Sequence, residues 1–193
     1  MAAVKSTMLD LGTKAPDFTL PNVLGGQVNL KEYSESSKGI VVAFICNHCP
    51  FVLHINDELS SVANEYQEKG IKFIAISSND VSNYPADSPE LMAKVVEKES
   101  YSFPYLYDET QEVAKSYRAA CTPDFFLFDE NLRLIYRGQL DDSRPGNGKP
   151  VTGSDLRNAM DRLLENRAPV EIQIPSIGCN IKWKKGNEPE YFG

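Results

Sequence analysis

The sequence predicts an α/β fold in which a central mixed β-sheet is covered by helices on both faces. Segments rich in β-branched and aromatic residues, such as 39–45 and 71–77, alternate with amphipathic helical segments, which is typical of a mostly parallel sheet. Near the end of the chain, segments 124–129 and 132–137 are joined by Glu130-Asn131 and predict an antiparallel hairpin. The sheet is therefore expected to be mixed, with both faces buried.

The first elements are a short hairpin, a strand and a long helix. Segments 15–20 and 27–30, separated by a Gly-Gly pair, predict the hairpin. After strand 39–45, Asn47 is a suitable N-cap that places Pro50 in the first turn of a helix, where a missing N–H costs little. Apolar residues then recur at helical spacing on one face: Phe51, Val52, Ile55, Leu59, Val62, Ala63 and Tyr66.

The later helices are predicted to begin at Ser88, Asp108 and Ser154, each of which is a good N-cap residue. A short strand at 105–107 precedes the second of these helices. The last helix runs to about Asn166.

Length and composition favour one domain. A chain of 193 residues can bury a substantial core. We expect a single domain over 1–193, with a core from about 12 to 167 and a C-terminal tail over 168–193. The formal charge of −7 and the isoelectric point near 4.9 argue against nucleic acid or an anionic membrane as partner, because either favours a basic patch.

The N-terminal segment and the cysteine content indicate the compartment. Segment 1–12 lacks a basic region followed by an apolar run, and the sequence has no run of about eighteen apolar residues. We therefore expect a cytoplasmic protein without a membrane partner. Four cysteines with one close pair are unlike a secreted disulfide framework. In a reducing compartment, C-x-x-C spacing is typical of catalytic or metal-binding cysteines.

The close pair belongs to Cys46-Asn47-His48-Cys49, which lies where the first long strand meets a helix. Reactive sites of such sheets lie at the carboxyl ends of strands. Cysteines three apart at a helix start can close and reopen a small disulfide ring. Free N–H groups and the helix dipole lower the pKa of a thiol there from roughly 8.5 to about 3.5–7.5. We predict that Cys46 is exposed, has the depressed pKa and attacks, and that the more shielded Cys49 resolves.

Three motifs point to a family: Ala-Pro-Asp-Phe-Thr-Leu-Pro at 15–21, the C-x-x-C after the first core strand, and Thr122-Pro123 ahead of the terminal hairpin. Over roughly 12–167 the chain resembles the thioredoxin-fold superfamily, in the redoxin branch that includes peroxiredoxin-like proteins. The resemblance implies a thioredoxin-like fold with an N-terminal hairpin extension. It also implies a cis Pro123 against the active-site disulfide and a Thr122 whose backbone binds an extended substrate.

The chain departs from both thioredoxins and peroxiredoxins. Thioredoxins have a buried acidic residue and a Trp where this chain has Ile40 and Ile45. In the peroxiredoxin motif Pro-x-x-x-Thr-x-x-Cys-Pro, Cys49 takes the peroxide-reactive position, but Cys46 replaces the Thr. The helper Arg of that family would fall near Pro123 and is absent. Because the Thr and the Arg polarise the peroxide O–O bond, the resemblance favours disulfide exchange over peroxide cleavage.

The predicted function is that of a thiol–disulfide oxidoreductase. His48 resembles the His between the cysteines of disulfide isomerases and periplasmic thiol oxidases, which implies a pair more oxidising than that of thioredoxin. The predicted catalytic residues are Cys46, Cys49 and His48, and Thr122 and Pro123 are the predicted substrate contacts. The implied partners are protein or small-molecule disulfides and thiols, with thioredoxin or glutathione as electron donor. A thioredoxin-dependent thiol peroxidase is the alternative.

A metal site is a second alternative, since C-x-x-C is also half of a zinc site. The candidates for the two further ligands are His48, His54, Cys121 and Cys179. Because no second C-x-x-C and no H-x-x-x-H occurs, redox chemistry is favoured, and neither a metal nor another cofactor is predicted. The metal class would include copper delivery, for which some thioredoxin-fold chaperones use two Cys and a distant His.

The remaining cysteines and histidine have less defined roles. Cys121 lies two residues before Pro123, so it is a candidate additional thiol, or equally a small buried apolar residue. Cys179 lies in a tail that Trp183 could anchor, and we predict an inert packing residue. His54 is predicted to be solvated or packed on the first helix.

Overall fold

The computed structural model describes residues 3–192, so the predicted domain is described except for positions 1, 2 and 193. The strands are β1 (Ala3–Lys5), β2 (Thr19–Pro21), β3 (Gln27–Asn29), β4 (Gly39–Phe44), β5 (Ile71–Ser77), β6 (Tyr105–Tyr107), β7 (Cys121–Thr122), β8 (Asp124–Asp129), β9 (Leu134–Gly138) and β10 (Ile177–Asn180). The helices are α1 (Leu30–Ser34), α2 (Pro50–Leu53), α3 (Asn56–Glu68), α4 (Pro89–Glu99), α5 (Glu112–Ser116) and α6 (Ser154–Leu164), with a 3₁₀ turn at Pro85–Asp87.

The main sheet has five strands in the order β6-β5-β4-β8-β9. β4 pairs in parallel with β5, and β5 with β6, whereas β8 is antiparallel to both β4 and β9. The predicted mixed sheet is therefore confirmed, and β4 is its central strand. The predicted N-terminal hairpin is also present as the antiparallel pair β2 and β3.

Both faces of the main sheet are covered, as predicted. Side chains alternate between faces along a strand, so Val41 and Ala43 of β4 lie in one apolar cluster and Val42 and Phe44 in another. The first cluster contains residues of α3, α4 and α6, among them Leu59, Val62, Met92, Leu156 and Met160. The second contains residues of α1 and α5 and of the C-terminal tail, among them Leu30, Ala114, Tyr117 and Trp183.

The helix after the cysteine motif differs from the prediction. Cys49, rather than Asn47, is the N-cap, and the expected single helix is divided into α2 and α3. At the division the Ile55 amide donates to Val52 O at 3.0 Å, three residues back, and Ile55 then acts as N-cap of α3. This tighter turn interrupts the regular helical pattern, while apolar spacing continues through it, which is why the pattern predicted one helix.

Of the other three predicted helix starts, one shifts and two are confirmed. Ser88 is the N-cap of α4 with Pro89 at the first position, as predicted. α6 begins at Ser154, also as predicted, whereas α5 is capped by Gln111 instead of Asp108. The Asp108 side chain instead accepts from the Ala114 amide and the Ser78 hydroxyl, at 2.9 Å each.

The C-terminal segment contains a strand that the sequence did not reveal. β10 lies between β1 and β7 in a three-stranded antiparallel sheet, in which Cys179 pairs with Ala3 on one side and Thr122 on the other. Farther along the tail, Trp183 is buried in the second apolar cluster and anchors the segment as predicted. None of the helices between residues 3 and 192 is long and apolar enough to cross a membrane.

Candidate active site

The C-x-x-C motif lies at the carboxyl end of the central strand, as predicted. β4 ends at Phe44, and α2 begins at Pro50 with Cys49 as its N-cap, so both cysteines lie in the turn between strand and helix. The Ile45 amide donates to Ile76 O at 3.0 Å and ties the start of this turn to β5.

Both sulfurs of the pair are buried. All four cysteines are free thiols, with exposed fractions of 2% for Cys46 and 0% for Cys49. The prediction of an exposed Cys46 was therefore wrong. The physical reason is that Thr122 packs on it: Cys46 Sγ lies 3.4 Å from Thr122 Oγ1.

Thr122 contacts both cysteines, and its bond to Pro123 is cis, as predicted. Besides the Cys46 contact, Cys49 Sγ lies 3.2 Å from Thr122 O, to which a Cys49 thiol donates. Cys179 of β10 is paired with Thr122. The backbone of Thr122 was predicted to bind an extended substrate, and β10 of the same chain occupies one of its two hydrogen-bonding edges. The approach is close: a Cβ at Gly178 would lie 1.9 Å from Thr122 O, so glycine is required there.

His48 faces a buried carboxylate that sequence analysis missed. His48 Nδ1 lies 2.7 Å from Asp87 Oδ2, and the partly exposed imidazole stacks on Tyr84 with 5.8 Å between ring centroids. Asp87 Oδ1 also accepts from the Asn47 amide at 2.8 Å, and Asp87 Oδ2 from Asn79 Nδ2 at 2.8 Å. Asp87 therefore fixes the positions of the His48 ring and of the backbone at Asn47.

The surroundings of the two sulfurs stabilise a thiolate at Cys49. The pKa of Cys49 is lowered to about 5 because the Cys46 thiol donates to it, and the thiol and amide of Cys179 and the amide of Val52 add further donors. The pKa of Cys46 is raised well above its ordinary value, because its proton is held by Cys49, its sulfur is buried and the Asp87 charge is near. The predicted depression of the pKa at Cys46 was wrong.

Cys179 and Cys121 differ in their surroundings. Cys179 is buried with Cys46 and Cys49 in one apolar cluster, so it packs in the core as predicted, and its inertness stays a prediction. Cys121 is fully buried, and its Sγ lies 3.6 Å from Pro123 O. Burial raises the pKa of the Cys121 thiol well above its ordinary range. The candidate role of Cys121 as an additional thiol stays a prediction.

His54 and one group of possible metal ligands lie near the cysteine motif. His54 is partly buried, and its Nε2 lies 2.8 Å from Ser143 Oγ, which fits the structural role predicted for it. Donor atoms of Cys46, His48 and Asp87 lie within 4.8 Å of one another, a set that could hold a metal ion. This set shares only Cys46 and His48 with the ligands considered from sequence.

The comparisons with known proteins agree with this fold. An uncharacterized conserved protein from Geobacillus kaustophilus has a crystal structure with 60% identity and a TM-score of 0.93, covering 95% of this chain and 97% of that one. The thioredoxin domain of a thiol-disulfide oxidoreductase from Bacteroides vulgatus has 18% identity and a TM-score of 0.60, covering 78% of this chain and 98% of that one. This second likeness confirms the thioredoxin-like fold.

Among curated proteins, the thiol-disulfide oxidoreductase ResA of Geobacillus kaustophilus is 26% identical over 169 residues, which are 86% of this chain and 82% of that protein. A model of the AhpC/TSA family matches residues 11–137. The predicted redoxin relationship is confirmed, and the chain belongs to the AhpC/TSA family.

Proposed function

We propose that this protein is a thiol–disulfide oxidoreductase whose reacting pair is Cys46 and Cys49. The observation that carries the proposal is the contact of both sulfurs with Thr122, at 3.4 Å and 3.2 Å, beside a helix N-terminus. The donors around Cys49 stabilise a thiolate that can accept the proton of Cys46 when Cys46 attacks a disulfide. The relatives named thiol-disulfide oxidoreductases support the same class of reaction.

In the reduced state the pair holds one proton and one negative charge. Cys46 attacks a sulfur of the substrate disulfide and passes its proton to Cys49, while the substrate's other sulfur leaves as a thiolate. Thr122 O then accepts from the new Cys49 thiol. Cys49 next attacks Cys46 Sγ in the mixed disulfide, the bond between Cys46 and the substrate breaks, and the proton of Cys49 passes to a substrate sulfur. The products are a Cys46–Cys49 disulfide, one substrate thiol and one substrate thiolate, so two electrons reach the substrate.

His48 and Asp87 tune this pair. A protonated imidazole at position 48 favours the thiolate form of the cysteines, and the Asp87 carboxylate fixes the ring through the 2.7 Å contact. Asp87 also opposes negative charge on Cys46. The two residues therefore act in opposite directions on the reduced state of the pair.

Partners and compartment follow from the chemistry as parts of the proposal. The substrates are disulfides of proteins or small molecules, and thioredoxin or glutathione is the electron donor that regenerates the pair. A cytoplasmic location fits a chain of four cysteines with one close pair, which is unlike a secreted disulfide framework. Thiol-trapping of the protein in intact cells tests the compartment, since a mostly reduced pair is expected.

Two variants test the roles of the pair. Cys46→Ser should abolish turnover of a disulfide substrate, whereas Cys49→Ser should retain the mixed disulfide and trap partners covalently. The control His54→Gln alters the second histidine, which contacts Ser143, and should retain turnover. Turnover that survives Cys46→Ser would exclude this assignment.

Thiol peroxidase activity is a second candidate, favoured by one observation. Cys49, which takes the peroxide-reactive position of the peroxiredoxin motif, has a pKa lowered to about 5 by the Cys46 thiol and further donors. Peroxide would oxidise Cys49 to a sulfenic acid, which Cys46 would resolve with release of water. Stopped-flow oxidation by micromolar peroxide tests this candidate: a rate no higher than that of a free thiol excludes it.

A further inference from the structure

We propose that Cys179 is a third redox thiol, which forms a disulfide with Cys49 by exchange with the Cys46–Cys49 disulfide. The inference rests on the proposed function, because it requires that disulfide. It assigns a reacting residue to β10, a strand outside residues 11–137 that match the family.

The register of β10 places Cys179 next to the Cys46–Cys49 pair. Cys179 is directly opposite Thr122 in the antiparallel ladder, and directly opposite residues point to the same face of a sheet. The Thr122 side chain contacts Cys46 Sγ from that face, and the Thr122 carbonyl oxygen contacts Cys49 Sγ. Cys121 pairs with Asn180 in the next position, where side chains point to the other face.

The surroundings of Cys179 agree with this placement. Cys179 is only 4% exposed and lies in one apolar cluster with Cys46 and Cys49. Its thiol and amide are close enough to Cys49 to lower the pKa of that thiol. β10 is held on both edges, by β1 through Ala3 and by β7 through Thr122, and Gly178 packs on Thr122 O. Cys49 thus has two thiol neighbours, Cys46 and Cys179, on structural elements that are both fixed.

The exchange step balances without an external oxidant. Cys179 loses its proton and attacks Cys49 Sγ in the Cys46–Cys49 disulfide. The Cys49–Cys179 bond forms while the Cys46–Cys49 bond breaks, and Cys46 leaves with the electron pair and takes up a proton. The number of disulfides is unchanged, but Cys46 is again a free thiol that can attack a second substrate.

Disulfide mapping of the full-length protein tests the proposal. The wild type, Cys46→Ser, Cys179→Ser and the matched control Cys121→Ser are equilibrated in a glutathione redox buffer, blocked by alkylation, digested and analysed by mass spectrometry. In Cys46→Ser we expect a Cys49–Cys179 disulfide that exceeds the Cys49–glutathione mixed disulfide by about tenfold, because the neighbouring thiol has a high effective concentration. The control Cys121→Ser, made in the wild-type background, should form the same disulfides as the wild type.

The outcomes separate the two proposals. If the wild type and Cys179→Ser form no Cys46–Cys49 disulfide, the proposed function fails. If that disulfide forms but Cys46→Ser yields only the glutathione adduct, or a disulfide to Cys121, the assignment of Cys179 is overturned. Because Cys46→Ser retains β10 intact, this result stands even if Cys179→Ser does not fold.

Discussion

His48 Nδ1 lies 2.7 Å from Oδ2 of Asp87, a carboxylate that is fully buried. The two residues are 39 positions apart, and the 3₁₀ turn Pro85–Asp87 brings the carboxylate against the C-x-x-C motif. The four residues of the C-x-x-C motif and the Asp87 carboxylate therefore form one structural unit. The charge of Asp87 acts on the ring of His48 and on the sulfur of Cys46.

Asp87→Asn should lower the pKa of Cys46. The pKa of Cys46 is raised by its bond to Cys49, by burial and by the Asp87 charge, and the variant removes the last of these causes. A more stable thiolate stabilises the reduced pair, so the reduction potential should rise. Thiolate absorbance against pH and a redox-buffer titration measure both effects. Asp142→Asn, on an exposed aspartate, is the control, and an unchanged potential in Asp87→Asn would contradict the role of this charge.

His48→Ala should lower the reduction potential toward the roughly −270 mV of thioredoxin, because it removes the ring that favours the thiolate. His48→Pro should also lower it, but proline removes the backbone N–H that donates to Asp87 Oδ1 at 3.3 Å, so alanine is the cleaner change. His54→Ala is the matched control on the other histidine of the chain. Equal potentials for wild type and His48→Ala would exclude His48 from the mechanism.

The local parts of the site could be predicted from the sequence. The apolar run that forms β4, the proline at the start of α2 and the cysteine spacing all act over a few residues, so they placed the motif at the end of a central strand. The cis peptide bond at Thr122-Pro123 followed from family resemblance instead.

The partners of the motif could not be predicted, because they come from distant segments. Asp87 lies in a loop rich in proline and polar residues, where a carboxylate ordinarily faces solvent. Cys179 lies on a four-residue strand with a glycine, which gives a weak strand pattern. The exposure predicted for Cys46 failed for the same reason, since Thr122, 76 residues away, covers its sulfur.

Cys46→Ala should raise the pKa of Cys49 from about 5 toward the roughly 8.5 of a free thiol. The sign follows from the donors: the Cys46 thiol is the largest stabiliser of the Cys49 thiolate, and alanine cannot donate. The remaining donors from Cys179 and Val52 should keep the pKa of Cys49 below that of a free thiol. Thiolate absorbance of the reduced protein measures the shift, with Cys121→Ala as control. If the thiolate of Cys49 still forms near pH 5 in the variant, the Cys46 thiol is not the main group that stabilises it.

Asp124→Asn should destabilise the fold strongly. Asp124 Oδ2 and Arg137 Nη2 form a 3.0 Å ion pair in which both side chains are fully buried. The variant leaves the guanidinium buried without a counter-charge, which costs about 3–5 kcal/mol of the free energy of unfolding. Urea unfolding measures the loss, and Asp142→Asn, which breaks the exposed pair with Lys149, should have little effect. Similar losses in the two variants would contradict the importance of burial.

Gly178→Ala should separate β10 from β7 and open the cysteine site. The new Cβ would lie 1.9 Å from Thr122 O, so the backbone of β10 must shift away from the strand that contacts both sulfurs. Alkylation of Cys46 and Cys49 in the native protein should therefore become faster, because a covering strand has moved. Gly146→Ala is the control: its Cβ meets no atom within 4 Å, so it carries only the strain of a positive φ, here +80°. Equal alkylation rates for the two variants would mean that β10 does not limit access to the pair.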